Sequence, residues 1–472
     1  MTSWLLGTGI MLIHVLGMIS AVMALMSSRT SQGAVAWIIS LLTFPYAAVP
    51  AYWLFGRPRF YGYVTARGAR DSVLRRVLVR YRHNVKPHVA HSNNSDIQAV
   101  EQLAMMPLTK GNSTKLLIDG KATFESLFQG IEQAQDYLLI QFFIVRDDEL
   151  GRQLHRQLSA AAKRGVRVYF LYDEIGSRKL NDSYFNELRE SGVEVSPFRS
   201  SRGLKHRFQL NFRNHRKIAV VDGKQGWIGG FNVGNEYLGK SAKHGPWRDT
   251  HLNVQGPCVL GLQEAFWEDW HWATGDVFTL NWHAECHPQQ DQQVVIVPSG
   301  PADKQDTAGL LVQQLIHSAN HRFWVTSPYF VPDQGVQDSL RLAAMRGVDV
   351  RVMIPERPDH LLVFLSAFSF LPDMLRAGVK IYRYQPGFLH QKIMLIDDSS
   401  ATVGTVNLDN RSFRLNFEIT AFVPSADFAA DVATMLEADF ARCRRVTLDE
   451  VSQRPMWKKV VSRAAYLMAP VQ

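Results

Sequence analysis

A five-residue pattern that occurs twice constrains this chain more than anything else in it. His215, Lys217, Asp222, Gly229 and Asn232 recur at identical spacing as His390, Lys392, Asp397, Gly404 and Asn407, 175 positions later. A lone His-x-Lys would carry no weight. Five specified residues matched twice mean a duplicated half-domain with one chemical kit per half. Ionisable groups repeated in this way point to one site built from both halves.

Each kit sits in the same local setting. His215 and Lys217 precede the apolar run Ile218–Val221, and His390 and Lys392 precede Ile393–Ile396. Both runs read as strands, on which residues i and i+2 share a face. Short return strands, Trp227–Gly229 and Thr402–Gly404, bring Asn232 and Asn407 back toward that face. Upstream, the order helix, strand, helix, strand is expected at 124–134, 137–145, 151–164 and 166–172. It repeats at 310–320, 323–329, 337–346 and 348–354. Gly165 and Gly347 stop equivalent helices. Alternating helices and short apolar strands predict a layered α/β fold. Each half closes with an aromatic-rich helix, around Phe266-Trp267-Trp270 and Met435-Leu436-Phe440, whose rings are expected in the core.

Two histidines, two lysines and two asparagines suit an anion with several oxygens. Lysine neutralises phosphate charge, and asparagine amides donate hydrogen bonds. One imidazole can attack phosphorus while the other protonates the leaving oxygen. The residues alone leave open which does which. Neither role needs a metal, no acid cluster is present for magnesium, and no cofactor is expected. A nucleophilic imidazole needs its other ring nitrogen held. Asp249 and Glu418, each at the head of an alternating apolar run, are the expected orienting carboxylates. Asp222 and Asp397 complete the catalytic motif, yet their places at strand ends favour fixing a turn or pairing with a basic residue.

These motifs resemble those of the phospholipase D superfamily, whose HxKxxxxD signature is met twice, by His215, Lys217 and Asp222 and by His390, Lys392 and Asp397. Gly229-Gly230-Phe231-Asn232 and Gly404-Thr405-Val406-Asn407 match its following turn. Gly230 stands where the family often has serine, so no hydroxyl acts there. Ser327–Pro332, Ser299-Gly300-Pro301, and Asn407–Ser412 leading to Asn416-Phe417-Glu418 extend the likeness to the bacterial cardiolipin synthase branch. The resemblance implies a duplicated phospholipase D-like α/β sandwich, two halves around one site, preceded by two membrane-embedded helices. It also implies phosphate binding by Lys217, Lys392, Asn232 and Asn407, with His215 as nucleophile and His390 as general acid. The implied reaction is phosphatidyl transfer between two phosphatidylglycerol molecules through a phosphatidyl-histidine, releasing glycerol.

The N-terminus fits a lipid substrate. Trp4–Met26 and Ala34–Phe55 carry no formal charge, and each is long enough for a bilayer core of about 20 residues per helix. Pro45 and Pro50 are expected to kink the second. Arg57, Arg59, Arg67, Arg70, Arg75, Arg76 and Arg80 follow with Asp71 as the one acid among them, which places the large domain in the cytoplasm by the positive-inside rule. A multi-pass protein of the bacterial inner membrane is expected. A net charge of +9 suits an anionic membrane surface or nucleic acid equally. Three scattered cysteines without a Cys-x-x-Cys fit a reducing compartment.

The expected organisation is a membrane hairpin over 1–59, a basic connector over 60–106, halves over 107–290 and 291–445, and an amphipathic tail over 446–472. The tail suits a membrane interface or an ordinary packed helix alike. Arg202-Gly203-Leu204-Lys205-His206-Arg207, with Phe208, Phe212 and Arg213, reads as a headgroup-binding mouth or a solvated loop. Two other functions remain at this stage. One is a phospholipase D using water or another alcohol; the other is a membrane-anchored nuclease or nucleic-acid-binding protein. No recognised nucleic-acid motif supports the latter, so none is expected as a partner.

Overall fold

A computed structural model describes residues 2–28, 30–56, 60, 63, 72–199, 211–243 and 245–471. Arg57, Arg59, Arg67, Arg70, Asp71 and the stretch from Arg202 to Phe208 lie outside the described residues.

The expected α/β halves are present, and their strand orders match. Counting strands of three or more residues, the first half holds β1 (Thr109–Ile118), β2 (Tyr137–Phe142), β3 (Arg167–Asp173), β4 (Glu194–Phe198), β5 (Ile218–Val221), β6 (Gln225–Gly229) and β7 (Thr250–Gln255). The second holds β8 (Gln292–Ser299), β9 (Arg322–Thr326), β10 (Asp349–Pro355), β11 (Lys380–Tyr384), β12 (Ile393–Ile396), β13 (Ser400–Gly404), β14 (Asn416–Val423) and β15 (Cys443–Arg445). The first order is β1-β7-β6-β5-β2-β3-β4, and the second is β8-β14-β13-β12-β9-β10-β11 with β15 on the edge. The neighbours β2-β3-β4 and β9-β10-β11 are parallel, linked by helical crossovers, and the rest are antiparallel. The halves join through an irregular antiparallel seam between β1 and β8, in register at Thr109↔Val294 and Asn112↔Gln292.

Helices cover both faces, so the central strands are apolar throughout; β5 and β12 are buried at every position. The closing helices, Val259–Thr274 and Ala426–Phe440, bury Phe266, Trp267 and Trp270, and Met435, Leu436 and Phe440. These aromatics are core, as expected.

The N-terminal region differs from the simple pair of spans. Trp4–Ser27 is long and apolar enough to cross a membrane. The second apolar stretch splits into helices Ser31–Thr43 and Pro45–Phe55 at Phe44, whose φ of −138° and ψ of 62° are non-helical. Pro45 is the cause, since a residue before proline is pushed out of the helical region. Thirteen residues span about 20 Å at 1.5 Å each, short of the hydrocarbon core. The second helix continues through Pro50. The three helices share a small core of Ala21, Ala24, Leu41, Ala48, Val49 and Tyr52, while Leu5, Leu6, Met11 and Val22 stay exposed on the first.

The connector is more ordered than its composition suggests. It contains helices Ser72–Val85 and Ser95–Ala104, the latter capped by Asn94, whose side chain accepts from the Asp96 and Ile97 N–H groups. Phe60 and Tyr63 are buried in the main core. Phe60 stacks on Phe212 with ring centroids 5.1 Å apart, and the Tyr63 hydroxyl donates to Asp269 at 2.9 Å. Phe212 is therefore core, and no part of a headgroup-binding mouth.

Candidate functional site

Two very short ladders build the site across the halves. Arg213–Asn214 pairs in parallel with Asn416–Phe417, and Phe388–Leu389 pairs in parallel with Trp247–Arg248. One step further along each ladder, His215 stands beside Glu418 and His390 beside Asp249. The His215 N–H donates to the Phe417 carbonyl at 2.9 Å, and the His390 N–H to the Arg248 carbonyl at 2.8 Å. Each histidine thus meets the carboxylate of the other half: His215 Nδ1 donates to Glu418 at 2.8 Å, and His390 Nδ1 to Asp249 at 2.6 Å. A carboxylate only accepts, so the proton sits on Nδ1 and Nε2 is left for a ligand.

Both imidazoles line a cavity of about 640 Å3, together with Asn232 and Asn407. Lys217 and Lys392 are buried behind it rather than on its wall. Their ammonium groups donate to the His215 and His390 carbonyls. Asn232 is tied in place, accepting from the Ile144 N–H at 3.0 Å and donating to the Tyr237 hydroxyl at 3.3 Å. Among the described residues the buried Asn407 Oδ1 has no hydrogen-bond partner.

Asp222 and Asp397 are not brought to this cavity. They sit at the far ends of β5 and β12, in the left-handed region at φ 54° and 50°, which aspartate tolerates better than most side chains. Asp222 accepts from the N–H groups of Gln135, Asp136 and Tyr137, and Asp397 from those of Asn320, His321 and Arg322. Each pins the end of its hairpin to the start of the neighbouring strand. These contacts fit the turn-fixing role that their places at strand ends favour, away from the imidazoles.

Burial dominates the electrostatics. It lowers His215 to about 4, against the pull of Glu418. His390 lies well below its ordinary value through burial and then the Lys392 ammonium, 3.0 Å from Nδ1. Burial takes Lys392 down to about 8 and Lys217 well below the usual lysine range. The carboxylates diverge. Burial pushes Asp249 up to about 6, whereas His215 and Lys217 hold Glu418 below its ordinary value despite burial. Glu418 also accepts from the Ser412 hydroxyl at 2.8 Å and the Asn416 amide at 3.1 Å.

Several lining groups had no assigned role in the sequence reading. Tyr329, Asp409, Arg411 and Asn416 lie in the motif stretches that carried the family resemblance. Asp359 and His360 come from a loop with no repeat to flag them. The Tyr329 hydroxyl donates to Asp359 at 2.7 Å. Trp247 and Phe143 flank the imidazoles, with centroids 5.1 Å from His390 and 5.0 Å from His215. Arg213 does reach the cavity. The chain contains two His-x-x-x-His spacings, His283/His287 and His317/His321. Among the described residues no group of three or more His, Cys, Asp or Glu is placed to hold a metal.

Comparison with known proteins agrees with this geometry. Residues 127–244 and 312–442 match the family described as cardiolipin synthase, PLD-like domain, and residues 9–57 match a phospholipase D-nuclease N-terminal family. The chain is 46% identical to cardiolipin synthase A of Pseudomonas entomophila (strain L48) over 467 residues, covering 98% of this chain and 97% of that one. Cardiolipin synthase A of Pseudomonas aeruginosa (strain LESB58) is 45% identical, covering 97% and 94%. Among solved structures, phosphatidylserine synthase from Haemophilus influenzae Rd KW20 has the same fold, with a TM-score of 0.60 at 14% identity over 80% of this chain and all of that one.

Proposed function

This chain belongs to the cardiolipin synthases with phospholipase D-like domains, which are phosphatidyltransferases, and we propose that its cavity joins two phosphatidylglycerol molecules through a phosphatidyl-histidine. The observation that carries this reading is the cross-pairing of His215 with Glu418 and His390 with Asp249. Neither half can orient its own imidazole, so the two kits work as one site.

We assign His215 as nucleophile. Its Nδ1 proton is fixed on an ionised Glu418, which stabilises the positive charge that grows on the ring as Nε2 bonds to phosphorus. His390 is the acid. Asp249 is raised to about 6 and Lys392 lowered to about 8 beside it, and burial and Lys392 hold His390 itself below its ordinary value, which makes it a ready proton donor once phosphate charge has protonated it. The negative charge of the bound phosphate favours a doubly protonated His390, and in the first step, as the P–O bond to glycerol breaks, this imidazolium gives its Nε2 proton to the leaving oxygen. In the second, a headgroup hydroxyl of another phosphatidylglycerol loses its proton to His390 and attacks phosphorus. The N–P bond breaks, and cardiolipin leaves. Lys217 and Lys392 supply positive charge behind the phosphate, and Asn232 and Asn407 hold its oxygens. No divalent cation is required.

The protein is associated with a membrane. We place the first helix across it, the loop after Met26 outside, the return through the broken pair Ser31–Thr43 and Pro45–Phe55, and the catalytic domain in the cytoplasm, on the strength of the arginines that follow the hairpin.

Purified protein incubated with phosphatidylglycerol alone, with EDTA present, should release cardiolipin and glycerol in equal amounts. Phosphatidic acid as the main product would make it a hydrolase instead. Activity restored only by one added divalent ion would overturn the metal-free chemistry.

A further inference from the structure

The C-terminal helix Met456–Tyr466 presents Met456, Trp457, Val460 and Val461 outward. It docks on the second half through Ser462 at 2% exposure, Ala465 at 6% and Tyr466, whose ring centroid is 5.8 Å from that of Phe370, and the Ser369 hydroxyl donates to the Ser462 carbonyl at 3.0 Å. Trp457, Val460 and Leu467 stand 64%, 60% and 80% exposed. A helix stabilised only by its own domain would bury those side chains and expose the small ones. Beside it packs helix Leu361–Ala367, with Leu361 and Leu362 likewise exposed. Contiguous exposed apolar surface of this kind marks an interaction site.

Charge indicates what covers it. No acidic residue occurs from Pro455 to Gln472, whereas Lys458, Lys459 and Arg463 do. Lys459 and Arg463 join Arg376 and Arg454 around a small pocket of about 240 Å3 under the helix, where Asp373 is the one acidic wall residue. Arg454 is fixed there, donating to the Ser462 hydroxyl at 3.2 Å with its guanidinium 3.6 Å from the centre of the Phe368 ring. Apolar side chains beside a basic pocket suit the boundary of an anionic bilayer.

Position ties this surface to the cavity. Helix Leu361–Ala367 directly follows the wall residues Asp359 and His360. The chain end, Ala469–Val471, packs on helix Asn410–Arg414, which carries the wall residue Arg411. The C-terminal segment therefore spans two sides of the rim.

We propose that the outward faces of helices Met456–Tyr466 and Leu361–Ala367, with the basic pocket between them and the domain, form a second membrane contact that seats on anionic phospholipid and holds the cavity rim against the bilayer. This rests on the lipid-transfer reading above. The hairpin anchors the chain, and this surface sets the orientation of the catalytic domain.

The test uses the full chain reconstituted in vesicles. A nitroxide is attached at Val460→Cys in a Cys286→Ser, Cys443→Ser background. In vesicles containing phosphatidylglycerol, the label should collide with oxygen and be shielded from a water-soluble nickel chelate. Free access of the chelate would overturn the proposal. So would shielding from both reagents in every lipid, which would mean that protein covers the helix. Separately, Trp457→Glu with Val460→Glu should lower turnover of vesicle phosphatidylglycerol at least tenfold. Turnover of a short-chain phosphatidylglycerol dispersed as monomers should stay within twofold. Equal turnover of both substrates would also overturn the proposal. The label reports seating whether or not cardiolipin forms, so failure of docking and failure of the transferase reading give different results.

Discussion

The residue between histidine and lysine is Arg216 in the first half and Gln391 in the second, yet both face an aspartate from the closing helix. Arg216 pairs with Asp269 at 3.0 Å, and the Gln391 amide donates to Asp439 at 3.2 Å. The missing guanidinium of the second half comes from the first, through Arg248, which binds Asp439 at 2.7 Å. The same exchange governs the imidazoles, whose carboxylates are swapped between halves. A duplicated fold has thus kept its backbone plan and redistributed its charges across the seam. The two histidines, alike in sequence, consequently sit in different electrostatic settings: a Glu418 held below its ordinary value on one side, and an Asp249 raised to about 6 on the other.

The largest effect tests whether the halves are interdependent. His215→Ala and His390→Ala should each cost about a thousandfold or more in turnover, since each removes a whole chemical role. One variant retaining half the activity would show two independent sites. A substrate with a low-pKa leaving group should rescue His390→Ala and leave His215→Ala inactive. The opposite pattern would reverse the assigned roles.

Next come the two turns after the hairpins. A Cβ added at Gly230 would lie 2.1 Å from Asp249 Oδ1, so the first half has no room for the hydroxyl residue that Thr405 provides in the second. Gly230→Ser should displace Asp249 and lower turnover by about a hundredfold, a barrier increase of about 3 kcal/mol. Thr405→Ser keeps the hydroxyl that binds the Ile419 N–H at 2.9 Å and should stay within a few-fold of the parent.

The carboxylates should separate by pH. Asp249 is raised from 3.8 to about 6 in the folded protein, so its contribution to stability is full below pH 4 and is lost as pH rises through 6. Glu418 is lowered, so its contribution is present above its ordinary value and is lost as pH falls through the depressed one. Denaturation followed across pH should show Asp249→Asn flattening the slope between pH 4 and 6, and Glu418→Gln flattening the acid limb. Identical profiles for the two variants would erase the proposed asymmetry.

The smallest effect concerns the arginines. Asp269 keeps three other donors, Tyr63, Gln141 and Asn214, so Arg216→Gln should cost about 1 kcal/mol of stability. Asp439 keeps only the Gln391 amide as a side-chain donor among the described contacts, and Arg248→Gln should cost about 3 kcal/mol. Thermal unfolding of the two variants measures the difference.

Much of this was legible in the sequence because it repeats or alternates. The paired kits, the apolar strands after each lysine and the aromatic closing helices all follow from local pattern. The partner of each carboxylate was not legible, because pairing across 203 and 141 positions depends on two-residue ladders too short to leave a periodic signal. Asp222 and Asp397 belong to the motif by spacing, yet strand length carries them away from the imidazoles. The tail's stripe was visible, but spacing alone does not say which face docks. Helix Ser95–Ala104 was hidden inside the connector, where its polar cap Asn94 and first turn carry no apolar stripe.

The distance between His215 and Glu418 also bears on how the protein is made. Synthesis runs from the membrane hairpin through the first half to the second, at about 5–20 residues per second. The 203 residues that separate the imidazole from its carboxylate therefore take about 10–40 s to emerge. During that interval a membrane-tethered first half stands beside abundant lipid with its histidine unaligned. On the proposed mechanism, a nascent or truncated chain is expected to leave the surrounding phospholipid intact, with activity beginning only when nearly the whole polypeptide is present.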